Sequence, residues 1–302
     1  MEIRVIAVVV TYNRLRLLQK TVKSLRSQTV ALSEIIVVNN GSTDGTEQWL
    51  ELQKDLTVIS QDNVGGAGGF CTGMEIAVRH VADWIWCMDD DVFPRADCLS
   101  KLLTNIGIEG VGILAPRRIR AGKIYSNDFV SYNLTCPFAS MYKGKLCKIL
   151  IDRPTSIGGT AFEGLFVKRE VVDEIGYPNK DLFIFCDDTD FCLRTVRAGY
   201  KIVYIPDALM DKELFFQDDS WSVRNKKKKW KRFYQVRNSA YLNHHYGVGF
   251  GVRYVRSLIG VTGYVLTVLF SVPFSDAYEF SDIPKFWKAY IDGVHERLGK
   301  MR

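Results

Sequence analysis

Two acidic clusters carry most of the chemistry this chain can do. Asp89, Asp90 and Asp91 follow directly on the apolar run Trp84-Ile85-Trp86-Cys87-Met88. Adjacent carboxylates repel one another, and burial makes the repulsion worse. A divalent cation removes that cost. Oxygen ligands suit Mg²⁺ and Mn²⁺, which complete their shells with water and substrate phosphate. The alternative is an exposed acidic turn or a helix cap. The apolar run favours the metal, because it places the carboxylates at the end of a buried strand. The second cluster, Asp187, Asp188 and Asp190, follows the apolar run 182–186. One of these carboxylates can deprotonate a substrate hydroxyl. Another can cap the helix expected over 190–198.

A third feature is Gly65-Gly66-Ala67-Gly68-Gly69, just after Asn63. Glycine lets backbone amides approach an anion or a sugar closely. A helix expected over 70–81 would add its positive end. The spacing matches neither the dinucleotide fingerprint nor the phosphate-binding P-loop. Further on, Lys226 to Lys229 run together, with Lys231 and Arg232 behind them. Such a run is either a solvated helix face or a surface for anionic lipid or phosphate; nucleic acid is the less favoured partner.

These residues need elements to position them. Ile3 to Val10 is an apolar run ending in Thr11-Tyr12-Asn13-Arg14, which predicts a buried strand followed by a loop. A helical spacing follows over 15–28. A second strand is expected over 34–38, ending in Asn39-Asn40-Gly41-Ser42-Thr43-Asp44-Gly45, and a third over 56–61. The triple aspartate ends a fourth. Strands are also expected at 111–116, up to Val167 and at 202–205, with short strands and loops over 117–155. Strand and helix in alternation imply a mostly parallel, Rossmann-like sheet flanked by helices. In such sheets ligands sit at the carboxyl ends of the strands, where these loops converge. After residue 220 the texture turns basic, aromatic and helical. The expected organisation is therefore a catalytic domain over 1–220 and a helical region over 221–302.

Bulk properties agree with a folded α/β protein. The chain has 302 residues, 47% hydrophobic and 25% charged, so global disorder is excluded. The net charge of +6 is modest. Seven cysteines without a CxxC pair argue against a zinc knuckle and for a reducing, cytoplasmic location. The first apolar run is too short for a signal peptide. The longest apolar stretch, Ser257 to Phe274, contains Gly260, Gly263 and Pro273. It is expected to pack on the catalytic domain or to lie in a membrane interface rather than to span the bilayer.

Four segments now gain a common meaning. Val10-Thr11-Tyr12-Asn13-Arg14, Val37 to Thr46, Met88-Asp89-Asp90-Asp91 and Asp187-Asp188-Thr189-Asp190-Phe191-Cys192-Leu193-Arg194 occur in this order. Together they resemble the family 2 inverting glycosyltransferases of the GT-A fold. Asn63 to Phe70 with Gly73-Met74, and Tyr234-Gln235-Val236-Arg237-Asn238, resemble the galactofuranosyltransferase branch and its rhamnosyltransferase-like relatives. The resemblance implies that Thr11, Arg14, Asn40, Asn63, Gly65, Gly66, Gly68, Gly69, Asp89 and Asp90 line the nucleotide-sugar site. It implies Asp188 as catalytic base, with Asp187, Phe162 and Glu163 on the acceptor side. It implies Mn²⁺ or Mg²⁺ on Asp89 and Asp91.

Two departures from the family pattern stand out. Asn39 and Asn40 occupy positions where many members have Asp, which leaves the nucleotide open. Many members also carry a metal-binding histidine a few residues beyond a proline like Pro206. The stretch Pro206 to Lys212 has none. Asp211 is the first choice to replace it; Lys212 meeting the phosphate directly, or His244 or His245 reaching back, are the alternatives. The implied activity is transfer of galactofuranose from UDP-galactofuranose to a bacterial surface glycan or a lipid-linked acceptor. A dTDP-rhamnose donor is the second reading, and a non-catalytic sugar-nucleotide or glycan-binding module the third. The lysine run and the 257–274 stretch suggest peripheral contact with the inner face of the cell membrane.

Overall fold

Val5–Thr11 forms the central strand β1, and all seven residues are buried. Its odd and even side chains enter different cores. Ile6, Val8 and Val10 pack with Ile36, Val38, Phe70 and Met74. Val5, Ala7 and Val9 pack with Leu18, Val22, Trp86 and Met88. This two-sided burial explains an unbroken apolar run where a half-exposed strand would alternate. The structure is a computed structural model describing residues 3–125, 127–149, 151–215 and 219–301.

The remaining strands are β2 (Glu34–Asn39), β3 (Thr57–Ser60), β4 (Trp84–Asp89), β5 (Val92–Pro94), β6 (Val111–Arg120) and β7 (Lys123–Ile124). They continue with β8 (Phe129–Tyr132), β9 (Tyr142–Lys145), β10 (Thr155–Ile157), β11 (Leu165–Lys168) and β12 (Lys201–Lys212). The main sheet runs β10-β12-β6-β11-β4-β1-β2-β3. β1 is parallel to both β2 and β4, while β11 is antiparallel to β4 and β6. The chain builds outward from β1 to β3 and then returns to place β4 on the other side of β1. Loops leaving β1 and β4 therefore diverge, and the crevice between them is where open α/β sheets bind ligands.

The helices are α1 (Leu15–Arg26), α2 (Thr46–Glu51), α3 (Gly65–Arg79), α4 (Cys98–Leu103), α5 (Arg169–Ile175), α6 (Asp187–Arg197), α7 (Trp221–Tyr246), α8 (Arg256–Ser271) and α9 (Asp282–Val294). Two helices start earlier than the sequence pattern predicts. α3 begins at Gly65, so the glycines form its first turns and not a loop. A Cβ on Gly69 would lie 2.5 Å from Val10 Cγ1, and one on Gly73 2.2 Å from Val8 Cγ1. Glycine there lets the helix lie close against β1. α6 begins at Asp187, so the acidic pair occupies the helix's first turn, where its exposed N–H groups favour negative charge. β12 also runs past Pro206 to Lys212, with a register shift against β6 between Ile205 and Leu209. This bulge changes which side chains face the site.

The chain divides into two compact units. One comprises Met1–Ser131, Gly144–Lys180 and Asp187–Glu213, and the other Tyr132–Lys143, Asp181–Cys186 and Leu214–Arg302. The second is thus helical over its C-terminal part but also draws in two earlier segments, which a single boundary near residue 220 does not describe. Within it, Phe286, Ala289, Val236, Val261 and Val268 form the core of α7, α8 and α9. The Asn238 amide nitrogen lies 2.9 Å from the carbonyl oxygens of Leu182, Ile184 and Phe185. That segment contains Phe183, Phe185 and Cys186 at positive φ, a costly backbone that the Asn238 and Arg237 donors hold in place.

Candidate active site

The carboxyl ends of β1 and β4 meet at the triple aspartate. Its three members have different surroundings. Asp90 is 2% exposed and accepts from the Thr11 hydroxyl at 2.7 Å and from Arg14 at 3.0 Å. Its backbone carbonyl accepts from Thr21 of α1 at 2.8 Å. Burial raises its pKa, and Arg14 and Thr11 oppose the rise. Asp91 is also buried; its Oδ1 pairs with Lys212 at 2.8 Å and its Oδ2 with Arg14 at 3.2 Å. Asp89 is partly exposed, and its carboxylate has neither hydrogen bond nor ion pair among the described residues. Burial first, then the Asp91 charge, push its pKa well up, while Lys212 pulls it down.

Lys212 joins this cluster to Glu163. Its ammonium lies 3.0 Å from Glu163 Oε1, and its side chain is 8% exposed. The other Glu163 oxygen accepts from Arg118 at 3.3 Å, and Arg118 is anchored by Asp128 at 2.5 Å. Arg118 and Asp128 are fully buried and were not anticipated from the sequence, where neither belongs to a recognisable motif. Desolvation works against the Lys212 charge, but Glu163, Asp91 and Asp89 outweigh it and raise its pKa. The ammonium is therefore permanently charged at physiological pH.

Asp188 sits in the first turn of α6. Its Oδ1 accepts from Thr189 N at 2.6 Å and from the Thr189 hydroxyl at 3.2 Å. Burial pushes Asp188 up to about 6, with the Thr189 bonds holding it down. Burial and the Asp188 charge push Asp187 further, to about 8. Near neutral pH the pair thus holds one proton, and the Thr189 donors leave Asp188 as the ionised member. An ionised, partly exposed carboxylate of raised basicity is suited to accept a hydroxyl proton.

Several expected site residues lie elsewhere or are already engaged. Asp211 does not join Asp89 and Asp91: the β12 bulge turns it to the opposite face from Lys212, where it pairs with Arg95 at 3.0 Å. His244 and His245 pair with Glu296 in the other unit. Phe162 is 3% exposed and stacks on Phe70 at 4.6 Å, so it is core and not an open acceptor surface. Asn40 donates to the Gly65 carbonyl at 2.8 Å and accepts from Gln61 at 2.7 Å, tying β2 to the start of α3. Asn63 accepts from Gly65 N at 3.0 Å. Gly68 and Gly69 are buried against Val64 and Val10, while Gly66 has open space around its Cα.

The expected divalent ion can be tested against these contacts. Among the described residues, Asp91 and Glu163 have their oxygens paired with cationic side chains, Asp211 pairs with Arg95, and of the expected ligands Asp89 alone is left uncommitted. Among the described residues, no three His, Cys, Asp or Glu side chains gather as a metal-binding set. The protein ligands do not fit the ion that the sequence led us to expect.

The model of glycosyl transferase family 2 matches residues 6–176, which include β1 from Ile6 onward, the triple aspartate and Glu163. The chain is a member of glycosyl transferase family 2. Among curated relatives, galactofuranosyltransferase GlfT1 of Mycolicibacterium smegmatis is 31% identical over 209 residues, 65% of this chain and 66% of that protein. The chain thus spans just under two thirds of that relative. The dTDP-rhamnosyl transferase RfbF of Shigella flexneri is 25% identical over 249 residues, 79% of each. Among solved structures, the family member shares its fold with the mannosyltransferase PcManGT of Pyrobaculum calidifontis, solved with GDP-Man and Mn²⁺. The TM-score is 0.55 at 16% identity, over 97% of this chain and 88% of that one. Residues 1–349 of TarS from S. aureus give a TM-score of 0.58 at 16% identity, over 98% and 82%. The GT-A architecture expected from the sequence is the one observed.

Proposed function

We propose that this chain is an inverting glycosyltransferase that moves galactofuranose from UDP-galactofuranose to a hydroxyl of a surface glycan or lipid-linked acceptor. The single observation that carries it is Asp188, an ionised carboxylate of raised basicity at the start of α6 in a family 2 chain. Asp188 takes the proton of the acceptor hydroxyl as its oxygen bonds to the anomeric carbon. The bond from that carbon to the diphosphate oxygen breaks on the opposite side, which inverts the centre. Arg14, with its side chain 38% exposed beside Asp90 and Asp91, meets the anionic donor.

The galactofuranose assignment is supported by the 31% identity to galactofuranosyltransferase GlfT1. The second reading, a rhamnosyltransferase using a dTDP-sugar, is supported by the longer shared span with RfbF. Incubation of purified protein with UDP-galactofuranose or dTDP-rhamnose and a lipid-linked glycan separates them, read by nucleoside diphosphate release and product mass. Turnover of neither donor with any such acceptor overturns both. Divalent-cation dependence, expected from the sequence and matched by the Mn²⁺ of one solved neighbour, has only Asp89 left to support it here. No step of the transfer is therefore routed through an ion.

A membrane-side acceptor is consistent with α8. The helix over Gly251–Ser271 is long and apolar enough to cross a membrane, and few of its residues are buried. Leu258, Ile259, Leu266, Leu269 and Phe270 are exposed, with Phe274 just beyond it. The lysine run contributes less than expected, because Lys226, Lys227 and Lys229 pair with Asp276, Asp219, Glu279 and Asp282. Contact with the membrane through the apolar helix face, at the cytoplasmic side, is the reading we favour.

A further inference from the structure

The end of β12 places a lysine where the expected ion would have to bind. Lys212 Nζ bridges Asp91 Oδ1 at 2.8 Å and Glu163 Oε1 at 3.0 Å. Both partners are held from behind, Asp91 by Arg14 and Glu163 by Arg118, which Asp128 fixes. The ammonium is therefore anchored in one position. A dication on Asp91 would stand next to this buried charge and compete with it for the same oxygens, which disfavours the two together. An ammonium is a compact, strongly charged donor that meets phosphate as a point charge. Asp89, the uncommitted carboxylate beside it, is free to accept from a donor hydroxyl.

We propose that Lys212 is the built-in cation of this transferase, receiving the donor's diphosphate together with Arg14 in place of a divalent metal. The assignment rests on the glycosyltransferase reading and refines it. As the anomeric carbon–oxygen bond breaks, its electron pair stays on the departing diphosphate oxygen. Lys212 and Arg14 neutralise that charge, and the acceptor's proton goes to Asp188. No co-reactant is needed. Arg14 shares Asp91 with Lys212, so the diphosphate would meet two adjacent cations that also neutralise Asp90, Asp91 and Glu163.

The test compares wild type with Lys212→Ala and Lys212→Gln, each checked for folding by circular dichroism. Calorimetry measures UDP and dTDP binding in EDTA and in Mn²⁺, and electron paramagnetic resonance measures Mn²⁺ uptake without nucleotide. The expected result is wild-type nucleotide affinity equal within about twofold in the two conditions. The variants should lose at least tenfold in EDTA, recover part of it in Mn²⁺ and show a new Mn²⁺ site at the vacated carboxylates. A tenfold loss of wild-type affinity on adding EDTA overturns the proposal. So does wild-type Mn²⁺ uptake as tight as that of either variant. If neither nucleotide binds any form, the donor reading fails, and Mn²⁺ uptake alone still decides whether Lys212 occupies the ion's place.

Discussion

The Thr11 hydroxyl donates to Asp90 Oδ2 across 2.7 Å, joining the ends of two neighbouring parallel strands. The middle aspartate is thus taken up by the scaffold. Thr11→Val removes a donor from a buried carboxylate and is expected to cost about 1–3 kcal/mol at pH 7. Asp90 already has a raised pKa, so its ionised form is disfavoured in the fold. The deficit should be full where Asp90 is ionised in the fold, above its raised pKa, and should shrink as pH falls through that pKa, before the unfolded carboxylate range is reached. Urea denaturation at pH 7 and pH 4 measures both. An equal loss at the two pH values would remove Asp90 from the explanation.

Asp188→Asn keeps the side chain's size and removes the base. Turnover should fall by about 10²–10⁴ while nucleoside diphosphate binding is retained. In the wild type the active form is the ionised one. With Asp188 pushed up to about 6, turnover should decline as pH drops through that value. A pH–rate profile of kcat checks it; a flat profile between pH 5 and 8 contradicts the base assignment.

The glycines of α3 separate by their neighbours. A Cβ on Gly73 meets Val8 Cγ1 at 2.2 Å, and that methyl belongs to a buried strand that cannot yield. Gly73→Ala should cost about 1–3 kcal/mol, more than the roughly 1 kcal/mol gained from helix propensity. Gly66 has nothing within 4 Å, so Gly66→Ala should leave stability unchanged or raise it by up to about 1 kcal/mol. Thermal melts of the two variants compare them directly.

The Asn238 amide serves three carbonyls of the 182–185 segment, one of them shared with Arg237. Asn238→Ala leaves those of Leu182, Ile184 and Phe185 without this donor and should destabilise the C-terminal unit by about 1–3 kcal/mol. Asn238→Asp, which keeps the shape but replaces donors with acceptors, should be worse. Hydrogen exchange across 181–186 reads the local effect.

If α8 meets lipid through its apolar face, Leu266→Ser with Phe270→Ser should abolish co-flotation with vesicles containing anionic lipid. High salt should have little effect on the wild type, because the lysines nearby are paired. Flotation that disappears at 0.5 M salt would assign the contact to charge instead.

The sequence made the sheet legible because strands buried on two faces read as unbroken apolar runs, from Ile6 to Val10 and from Trp84 to Met88. The acidic clusters were visible for the same reason: each follows such a run. What it concealed depends on long-range packing. The start of α3 at Gly65 was hidden because glycine normally signals a loop, and the close approach to Val8 and Val10 appears only in three dimensions. Phe162 belongs to the core because Phe70 and Phe191 surround it. Lys212 stood second to Asp211, since a carboxylate was sought to replace the missing histidine; the register shift in β12 that turns Lys212 and not Asp211 toward Asp91 is visible only in three dimensions. Arg118 and Asp128 carried no motif; their meaning comes only from Glu163 between Arg118 and Lys212.

The bulge between Ile205 and Leu209 has an evolutionary consequence. In a strand, losing or gaining one residue exchanges every side chain beyond it for its neighbour. Residues 206–208 are extra against β6, and a one-residue shift of the ladder beyond them would put Asp211 on the face that Lys212 now occupies, replacing a positive group with a negative one. A change in how many residues leave the ladder there would thus change the charge at the site with no substitution at any contacting residue.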